Sequence, residues 1–329
     1  MGKIWGKLNT GKMSAIVEEP DGYYEPIKVL VTLHEGMDTM DAVGPMEVFS
    51  MALHDKKDPQ SKAFRVIFAG EGQQTMTAQN FPMTAHIDYN EAMKRLGEID
   101  LLVVPGGGHE KVLQAKSQPL TMIKAYAELQ KKNPARERSL MSVCTGSLFL
   151  AETGILSGLA ATTHPNYITK MEILCSNAAQ RDMTDRTDVM EVRYVVNNLR
   201  FELGENYEEE NPYVLSKKEY KDHKRRKSSA GGPPSPIEER TNGTGRRASN
   251  ARKGSISLKM SNMRRESVLK RANLRLGGLR VLTCSGITSG IDGALYMVAA
   301  MVSDDSAEEV ARVMCHDWKK GIVVDGTDV

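Results

Sequence analysis

The chain has 329 residues, 40% of them hydrophobic, and no apolar run reaches the roughly 20 residues that a membrane-spanning helix needs. We therefore expect a cytoplasmic protein without stable membrane anchoring, and its four widely spaced cysteines argue against a disulfide framework and a zinc site. The net charge of +2 hides an asymmetry, because residues 217–275 hold 18 Lys/Arg against 5 Asp/Glu. A basic segment on an acidic body is thus predicted.

Short aliphatic runs alternate with helical patterns along most of the chain. Residues 1–26 lack periodicity and are predicted to be a flexible tail. Strands are predicted at 27–33, 64–69, 99–104, 139–143, 193–196 and 279–283, and helices at 45–49, 118–132, 146–155, 165–174, 287–302 and 307–319. This alternation predicts an α/β fold, a flavodoxin-like doubly wound and mostly parallel sheet with helices on both faces. One domain is expected over 27–198 and 278–320, followed by a C-terminal tail at 321–329.

Residues 199–277 interrupt the alternation. They contain the run Gly-Gly-Pro-Pro-Ser-Pro, an acidic Glu208-Glu209-Glu210 stretch and many Ser, Lys and Arg residues. Such a composition buries too little apolar surface to offset the entropy of ordering, so a disordered insertion at the tip of a hairpin is predicted. The fold tolerates it because loop-closure entropy grows only logarithmically with length.

The strongest local signal is Ser142-Val143-Cys144-Thr145-Gly146-Ser147. A strand ends, a nucleophilic residue type follows at the turn, and a helix begins with small residues, which is the layout of a nucleophile elbow. The helix N-terminus favours a thiolate at Cys144 over a thiol. The alternative is an inert cysteine buried at a strand–helix turn.

Three other segments are expected at the same edge of the sheet, where strands of such folds present their carboxyl ends. Gly106, Gly107 and Gly108 end a strand, and their N–H groups suit an anion; the alternative is a plain tight turn. Asp41 is a candidate general acid, and the alternative role is that of a helix N-cap. His164, after a short strand, is a candidate base or a structural residue.

At these positions the chain resembles the ThiJ/PfpI superfamily, which has the class I glutamine amidotransferase-like fold. The segments that carry the resemblance run, in family order, as Met40-Asp41-Ala42-Val43-Gly44-Pro45, Val104-Pro105-Gly106-Gly107, Ser142-Val143-Cys144-Thr145-Gly146-Ser147, Ala161-Thr162-Thr163-His164 and Ser285-Gly286-Ile287-Thr288-Ser289-Gly290-Ile291-Asp292. Apart from the insertion, the resemblance covers about 28–320. Within the superfamily, the chain looks most like isonitrile hydratases and related amidase-like proteins.

The resemblance implies a mechanism. Cys144 attacks an isonitrile carbon as a thiolate, and Asp41 supplies or transfers the proton. Water then hydrolyses the thioimidate to an N-substituted formamide. The backbone N–H groups of Gly107 and Thr145 stabilise negative charge, and His164 stays a further candidate. The motif glycines Gly106, Gly108 and Gly286 are expected to contact the small-molecule substrate. The family implies a homodimer with no cofactor.

Two features depart from the family pattern. Related hydratases commonly continue past the last helix with a Pro-Pro-Phe segment, which is absent from residues 320–329. The hairpin that carries the insertion is short in relatives. Within the superfamily two alternatives are a non-catalytic small-molecule sensor and a glyoxalase or deglycase-like enzyme, although the latter class has Glu at the position of Asp41.

The insertion repeats a kinase-like pattern of two basic residues, a spacer and a serine. The pattern predicts phosphorylation by a basophilic Ser/Thr kinase at Ser228, Ser249 and Ser267, with Ser255 in a near copy. Lys224-Arg225-Arg226-Lys227 also fits a nuclear-localisation cluster, so the nucleus is an alternative location. Nucleic-acid binding is not expected, because the segment has almost no aromatic residues for stacking.

Overall fold

The computed structural model describes residues 25–198 and 275–325. Its centre is an eight-stranded sheet in the order β12-β10-β11-β7-β6-β1-β2-β5. All neighbouring strands run parallel except β10 and β11, which are antiparallel. The doubly wound, mostly parallel sheet predicted from the sequence is therefore confirmed.

The strands are β1 (Ile27–Thr32), β2 (Phe64–Gly70), β3 (Gln74–Met76), β4 (Pro82–Thr84), β5 (Ile87–Asp88), β6 (Leu101–Val104), β7 (Ser139–Val143), β8 (Ala160–Ala161), β9 (Asp188–Val189), β10 (Tyr194–Asn198), β11 (Arg280–Cys284) and β12 (Ile322–Asp325). The helices are α1 (Thr39–Met51), α2 (Tyr89–Arg95), α3 (His109–Ala115), α4 (Gln118–Lys132), α5 (Ser147–Glu152), α6 (Ile168–Asp182), α7 (Ile287–Met301) and α8 (Asp304–Val313). The pairs β3–β4 and β8–β9 form two small separate sheets.

Alternating side chains of the central strands build one core on each face of the sheet. Leu30 of β1 packs in the cluster that includes residues of α2 to α6, whereas its neighbours Val29 and Val31 pack in the cluster with α1, α7 and α8. All three side chains are fully buried. A strand buried on both faces needs a continuous apolar run, which is why the sequence of β1 shows no polar alternation.

The domain boundaries differ from the prediction at two places. The expected tail from residue 321 contains β12, because Ile322, Val323 and Val324 pair in parallel with β10 and are buried. The expected insertion ends earlier than residue 277, because Arg275–Gly278 forms a turn against α4 in which the Gln130 side chain donates to the Gly277 carbonyl at 2.8 Å. Residues 1–24, 199–274 and 326–329 lie outside the described residues.

The register of β10 and β11 shows at which end of the sheet residues 199–274 are attached. Cys284 at the end of β11 pairs with Val143 at the end of β7 and with Tyr194 at the start of β10. The end of β10 and the start of β11, between which residues 199–274 are attached, therefore lie at the sheet edge opposite to Cys144. In the described part of the chain, no helix is both long enough and apolar enough to cross a membrane.

Candidate active site

Cys144 occupies a strained turn between β7 and α5. Its φ of +56° is unfavourable for a residue with a side chain, and such strain is typical of a nucleophile elbow. The turn requires glycine at position 146, because a Cβ there would lie 2.3 Å from the Val104 carbonyl oxygen. The strand–cysteine–helix layout predicted from the sequence is present, and the thiol is partly exposed.

Asp41 lies beside Cys144, in the first turn of α1. Its side chain is fully buried, and its Oδ2 accepts a hydrogen bond from the Gly106 N–H at 3.1 Å. Its Oδ1 is also buried and has no partner among the described residues. The predicted alternative, an N-cap role, belongs to Asp38, whose side chain accepts from the Met40 N–H.

The pair has an unusual charge state. Burial raises the pKa of Asp41 to about 7, the nearby negative charge of Asp38 adds to the rise, and the Gly106 N–H and the Cys144 thiol oppose it. Burial likewise raises the pKa of Cys144 to about 12, with a further rise from the Asp41 charge, while the Thr145 N–H opposes the shift. The raised pKa opposes the thiolate that the sequence predicts for Cys144. Desolvation and the neighbouring carboxylate both disfavour the charged sulfur, and the helix that follows it has only six residues.

The glycine turn after β6 differs from the anion site that was predicted. The Gly107 N–H donates to the Thr145 hydroxyl at 2.8 Å, and the Gly106 N–H is taken by Asp41. These contacts tie the turn to the elbow and leave neither amide free for substrate. A Cβ at Gly106 would lie 2.5 Å from the Thr145 nitrogen, so the close approach requires glycine. Of the two predicted donors, only the Thr145 N–H points toward the sulfur.

A cavity of about 600 Å³ opens over Cys144 and Thr145. It is lined also by Glu35, Gly36, Asp38, Gly107, Gly108, His109, Glu110, Lys111, His164, Asn166 and Tyr167. Its volume is in the range of small-ligand sites. Within residues 25–198 and 275–325, no group of His, Cys, Asp or Glu side chains is arranged to hold a metal ion.

Some of the predicted site residues line this cavity, and others do not. Gly107, Gly108 and His164 line it with Cys144, but the His164 Nδ1 accepts from the Asn166 N–H at 3.3 Å, as a local cap. Gly106 lies behind the cavity against Asp41. Gly286 precedes α7 and is not among the residues that line this cavity, so the structure does not support its predicted substrate contact.

Sequence reasoning missed His109, the first residue of α3. Its side chain is buried, and its ring packs edge-on against Tyr167 at a centroid distance of 4.7 Å. Burial lowers the pKa of His109, and the positive charge of Lys170 lowers it further. The available signal was its position directly after the Pro-Gly-Gly-Gly turn, which places its side chain at the carboxyl edge of the sheet.

Two proteins are similar to this chain in sequence. An isonitrile hydratase from Pseudomonas putida is 41% identical over 69 residues, which are 21% of this chain and only 27% of that enzyme. An uncharacterized protein in the cpoL 5' region of Streptomyces lividans is 30% identical over 139 residues, covering 42% of this chain and 88% of that protein.

Solved structures of other proteins also align with this chain. Drosophila melanogaster DJ-1beta aligns with a TM-score of 0.48 at 12% identity, over 89% of this chain and all of that one. A ThiJ/PfpI family protein from Pseudomonas syringae aligns with a TM-score of 0.49 at 15% identity, over 95% and 82%. The model of the DJ-1/PfpI family matches residues 27–199, more than half of the sequence, and the chain belongs to that family.

Proposed function

We propose that this protein is a cysteine-dependent hydratase, which adds water to a small isonitrile and releases an N-substituted formamide. The observation that carries the proposal is the pair formed by the Cys144 thiol and the buried Asp41 carboxyl beneath the cavity. The partial similarity to an isonitrile hydratase supports the choice of substrate class.

The reaction needs a thiol and a proton carrier rather than a permanent thiolate. The sulfur of Cys144 bonds to the terminal carbon of R–N≡C, while Asp41 takes the thiol proton and passes it to the same carbon. The product is a thioimidate, R–N=CH–S–Cys144. Water then adds to that carbon, the C–S bond breaks, and the sulfur regains a proton as R–NH–CHO leaves. The proton that Asp41 carries is returned, so the cycle consumes one isonitrile and one water.

The pKa values of Asp41 and Cys144 suit this order of reaction steps. With a pKa of about 7, Asp41 is near the optimum for a group that must both accept and donate a proton at neutral pH. Because Asp41 delivers the thiol proton to the carbon that the sulfur attacks, no oxyanion forms in this step and no preformed anion hole is needed. That agrees with a turn whose Gly106 and Gly107 amides are already engaged.

A second candidate function is a non-catalytic sensor that binds a small molecule in the same cavity. The raised pKa of the Cys144 thiol favours it, because a neutral thiol is a weak nucleophile without proton transfer. The two functions differ in turnover. A sensor binds its ligand without converting it, whereas a hydratase releases a new compound.

The experiment that tests the proposal is incubation of the purified protein with a panel of small isonitriles, with the formamide proton followed by NMR. Catalytic formamide formation by the wild type and its loss in Cys144→Ser are expected. Cys315→Ser is the matched control, since that cysteine is exposed and lies beyond α8. Binding without turnover would favour the sensor, and full activity in Cys144→Ser would overturn the mechanism.

A further inference from the structure

His34 lies between the glycine turn and the helix that follows Cys144. It comes two residues after β1, and its side chain is buried, with 6% of its surface exposed. Its Nε2 lies 2.8 Å from the Gly107 carbonyl oxygen. Its ring also packs edge-on against the fully buried Phe149 of α5, at a centroid distance of 5.3 Å. The imidazole therefore joins the glycine turn to α5.

The contacts of His34 fix the tautomer of its ring. A carbonyl oxygen can only accept a hydrogen bond, so Nε2 carries the proton and donates it to Gly107. Nδ1 is buried and has no hydrogen-bond partner among the described residues. A second proton on Nδ1 would therefore be buried without an acceptor, and burial lowers the pKa of His34. The ring is thus a neutral hydrogen-bond donor to the glycine turn.

The glycine turn needs an outside contact of this kind to keep one conformation. Gly107 and Gly108 have φ values of +80° and +52°, a region that glycine enters and leaves freely because it has no Cβ. Rotation of the backbone at Gly107 would break the 2.8 Å hydrogen bond from its N–H to the Thr145 hydroxyl. Because His34 holds the Gly107 carbonyl, it opposes this rotation from the end of β1.

Thr145 connects the glycine turn to the sulfur. It follows Cys144 directly and lines the same cavity, and its backbone N–H points toward the thiol. Its hydroxyl accepts from Gly107, so the conformations of the turn and of the elbow depend on each other. A continuous path of contacts therefore leads from the His34 ring through Gly107 and Thr145 to Cys144.

We propose that His34 is a positioning residue, which holds the Gly107 carbonyl so that Thr145 and Cys144 stay aligned beneath the cavity. This role rests on the proposed function, because Cys144 is the group that reacts there. A displacement of about 1 Å near a reacting group lowers a rate by about 100-fold. Among the described residues, His34 is not one that lines the cavity over Cys144, so its effect is expected on kcat rather than on KM.

The test compares two variants that lack the donor with one that keeps it. His34→Phe retains a ring against Phe149 but has no N–H, and His34→Leu is a second variant without a donor. His34→Gln has a side-chain amide that can donate to the Gly107 carbonyl. His86→Phe is the matched control, because His86 also makes one side-chain bond to a backbone amide and one ring contact, both with Phe68, but does not line the cavity.

The first readout is hydrogen exchange of the Gly107 amide, followed by NMR of protein that contains isotopically labelled glycine. This measurement needs no isonitrile, so it is independent of the hydratase assay. Exchange should accelerate by about tenfold in His34→Phe and His34→Leu, which corresponds to the loss of one hydrogen bond. It should return close to the wild-type rate in His34→Gln and stay unchanged in His86→Phe. An unchanged rate in the folded Phe and Leu variants would overturn the proposal.

The second readout is the kinetics of isonitrile turnover. In the two donor-free variants kcat should fall by about 10–100-fold with KM within about twofold, and His34→Gln should recover most of kcat. In a Thr145→Val background, which lacks the hydroxyl that accepts from Gly107, His34→Phe should lower kcat by less than about twofold, because both changes break one chain of contacts.

The two readouts separate the role of His34 from the hydratase activity. Equal losses of kcat in His34→Gln and His34→Phe would overturn the positioning role. A wild type without isonitrile turnover would overturn the proposed function instead, and the exchange rate of the Gly107 amide would still decide whether His34 holds the turn.

Discussion

The Asp41 carboxyl and the Cys144 thiol meet beneath one cavity although they come from opposite ends of the first half of the chain. Asp41 is carried by α1 and Cys144 by the turn after β7, and the Gly106 amide donates to the Asp41 carboxyl. Each of the two groups shifts the pKa of the other. Changes to one partner should therefore be visible in the pKa of the other.

Replacing Asp41 by Asn should separate reactivity of the sulfur from catalysis. Removal of the carboxylate charge lowers the pKa of Cys144, so alkylation by iodoacetamide at pH 8 should become faster. Isonitrile hydration should fall by about 100-fold or more, as is typical for loss of a general acid–base group. The control is Glu47→Gln on the same helix. If Asp41→Asn reduced alkylation and left hydration intact, the assigned proton carrier would be wrong.

The same substitution should change how stability depends on pH. An aspartate whose pKa is raised to about 7 in the folded protein, against about 4 unfolded, binds a proton more tightly when folded. Its contribution to stability is thus fully present below pH 4 and is lost as the pH rises through about 7. Asp41→Asn removes this loss and should be more stable than the wild type at pH 8, by on the order of 2–4 kcal/mol.

This stability difference can be measured by urea unfolding of both proteins at pH 5 and pH 8. The advantage of Asp41→Asn should be larger at pH 8 than at pH 5. An equal difference at both values would show that the folded and unfolded pKa values of Asp41 are alike.

Gly146→Ala should be strongly destabilising. The added methyl would lie 2.3 Å from the Val104 oxygen and 2.8 Å from the Pro105 oxygen, so the elbow or the glycine turn must move. We expect a loss of about 3 kcal/mol in the free energy of unfolding. Gly97→Ala is the matched control, because a Cβ there meets nothing within 4 Å. Equal stability of the two variants in urea unfolding would contradict this packing argument.

Removal of residues 199–274 should leave the proposed hydratase activity in place. Their attachment points lie at the end of the sheet opposite to Cys144. The strands β10 and β11 pair with each other, and β11 also pairs with β7. With a Gly/Ser linker of about six residues joining Asn198 to Arg275, kcat/KM should stay within about twofold, since loop length affects stability only weakly. A loss of ten-fold or more, with an unchanged melting temperature, would show that these residues contribute to the site.

Phosphorylation of the basic segment is a separate proposal. A basophilic kinase should modify Ser228, Ser249 and Ser267 in vitro, and Ser255 to a lesser degree, because arginines precede each of them at the required spacing. Mass spectrometry of the intact protein and of its peptides would show which sites are modified. A triple Ser→Ala variant is the control, and a wild type without phosphate would refute the proposal.

The fold was predictable because its strands are buried on both faces and therefore appear in the sequence as uninterrupted aliphatic runs. Cys144 was found for a similar reason, since a strand, a nucleophile and small residues are local in sequence. β12 was missed because Ile322–Asp325 is a short run near the chain end whose pairing with β10 is a tertiary contact. The C-terminal helix is likewise shorter than predicted, ending at Val313 rather than Lys319.

The properties of the site that were mispredicted depend on groups far apart in the sequence. The Gly107 amide is unavailable because the Thr145 hydroxyl accepts from it, and burial and the Asp41 charge raise the pKa of the Cys144 thiol. Neither effect can be recognised from a local pattern in the amino-acid sequence. His34 shows the same limit, since only the structure brings its ring onto the Gly107 carbonyl.

In the proposed mechanism the Cys144 sulfur bonds to the isonitrile carbon, and mass spectrometry of the trapped adduct can detect this bond. Wild-type protein is mixed with excess isonitrile, quenched with acid within the first turnover, and the intact mass and the Cys144 peptide are determined. We expect a mass increase equal to that of the isonitrile, located on Cys144 and absent from Cys144→Ser. Formamide production by the wild type with no adduct on Cys144, together with retained turnover in Cys144→Ser, would contradict it.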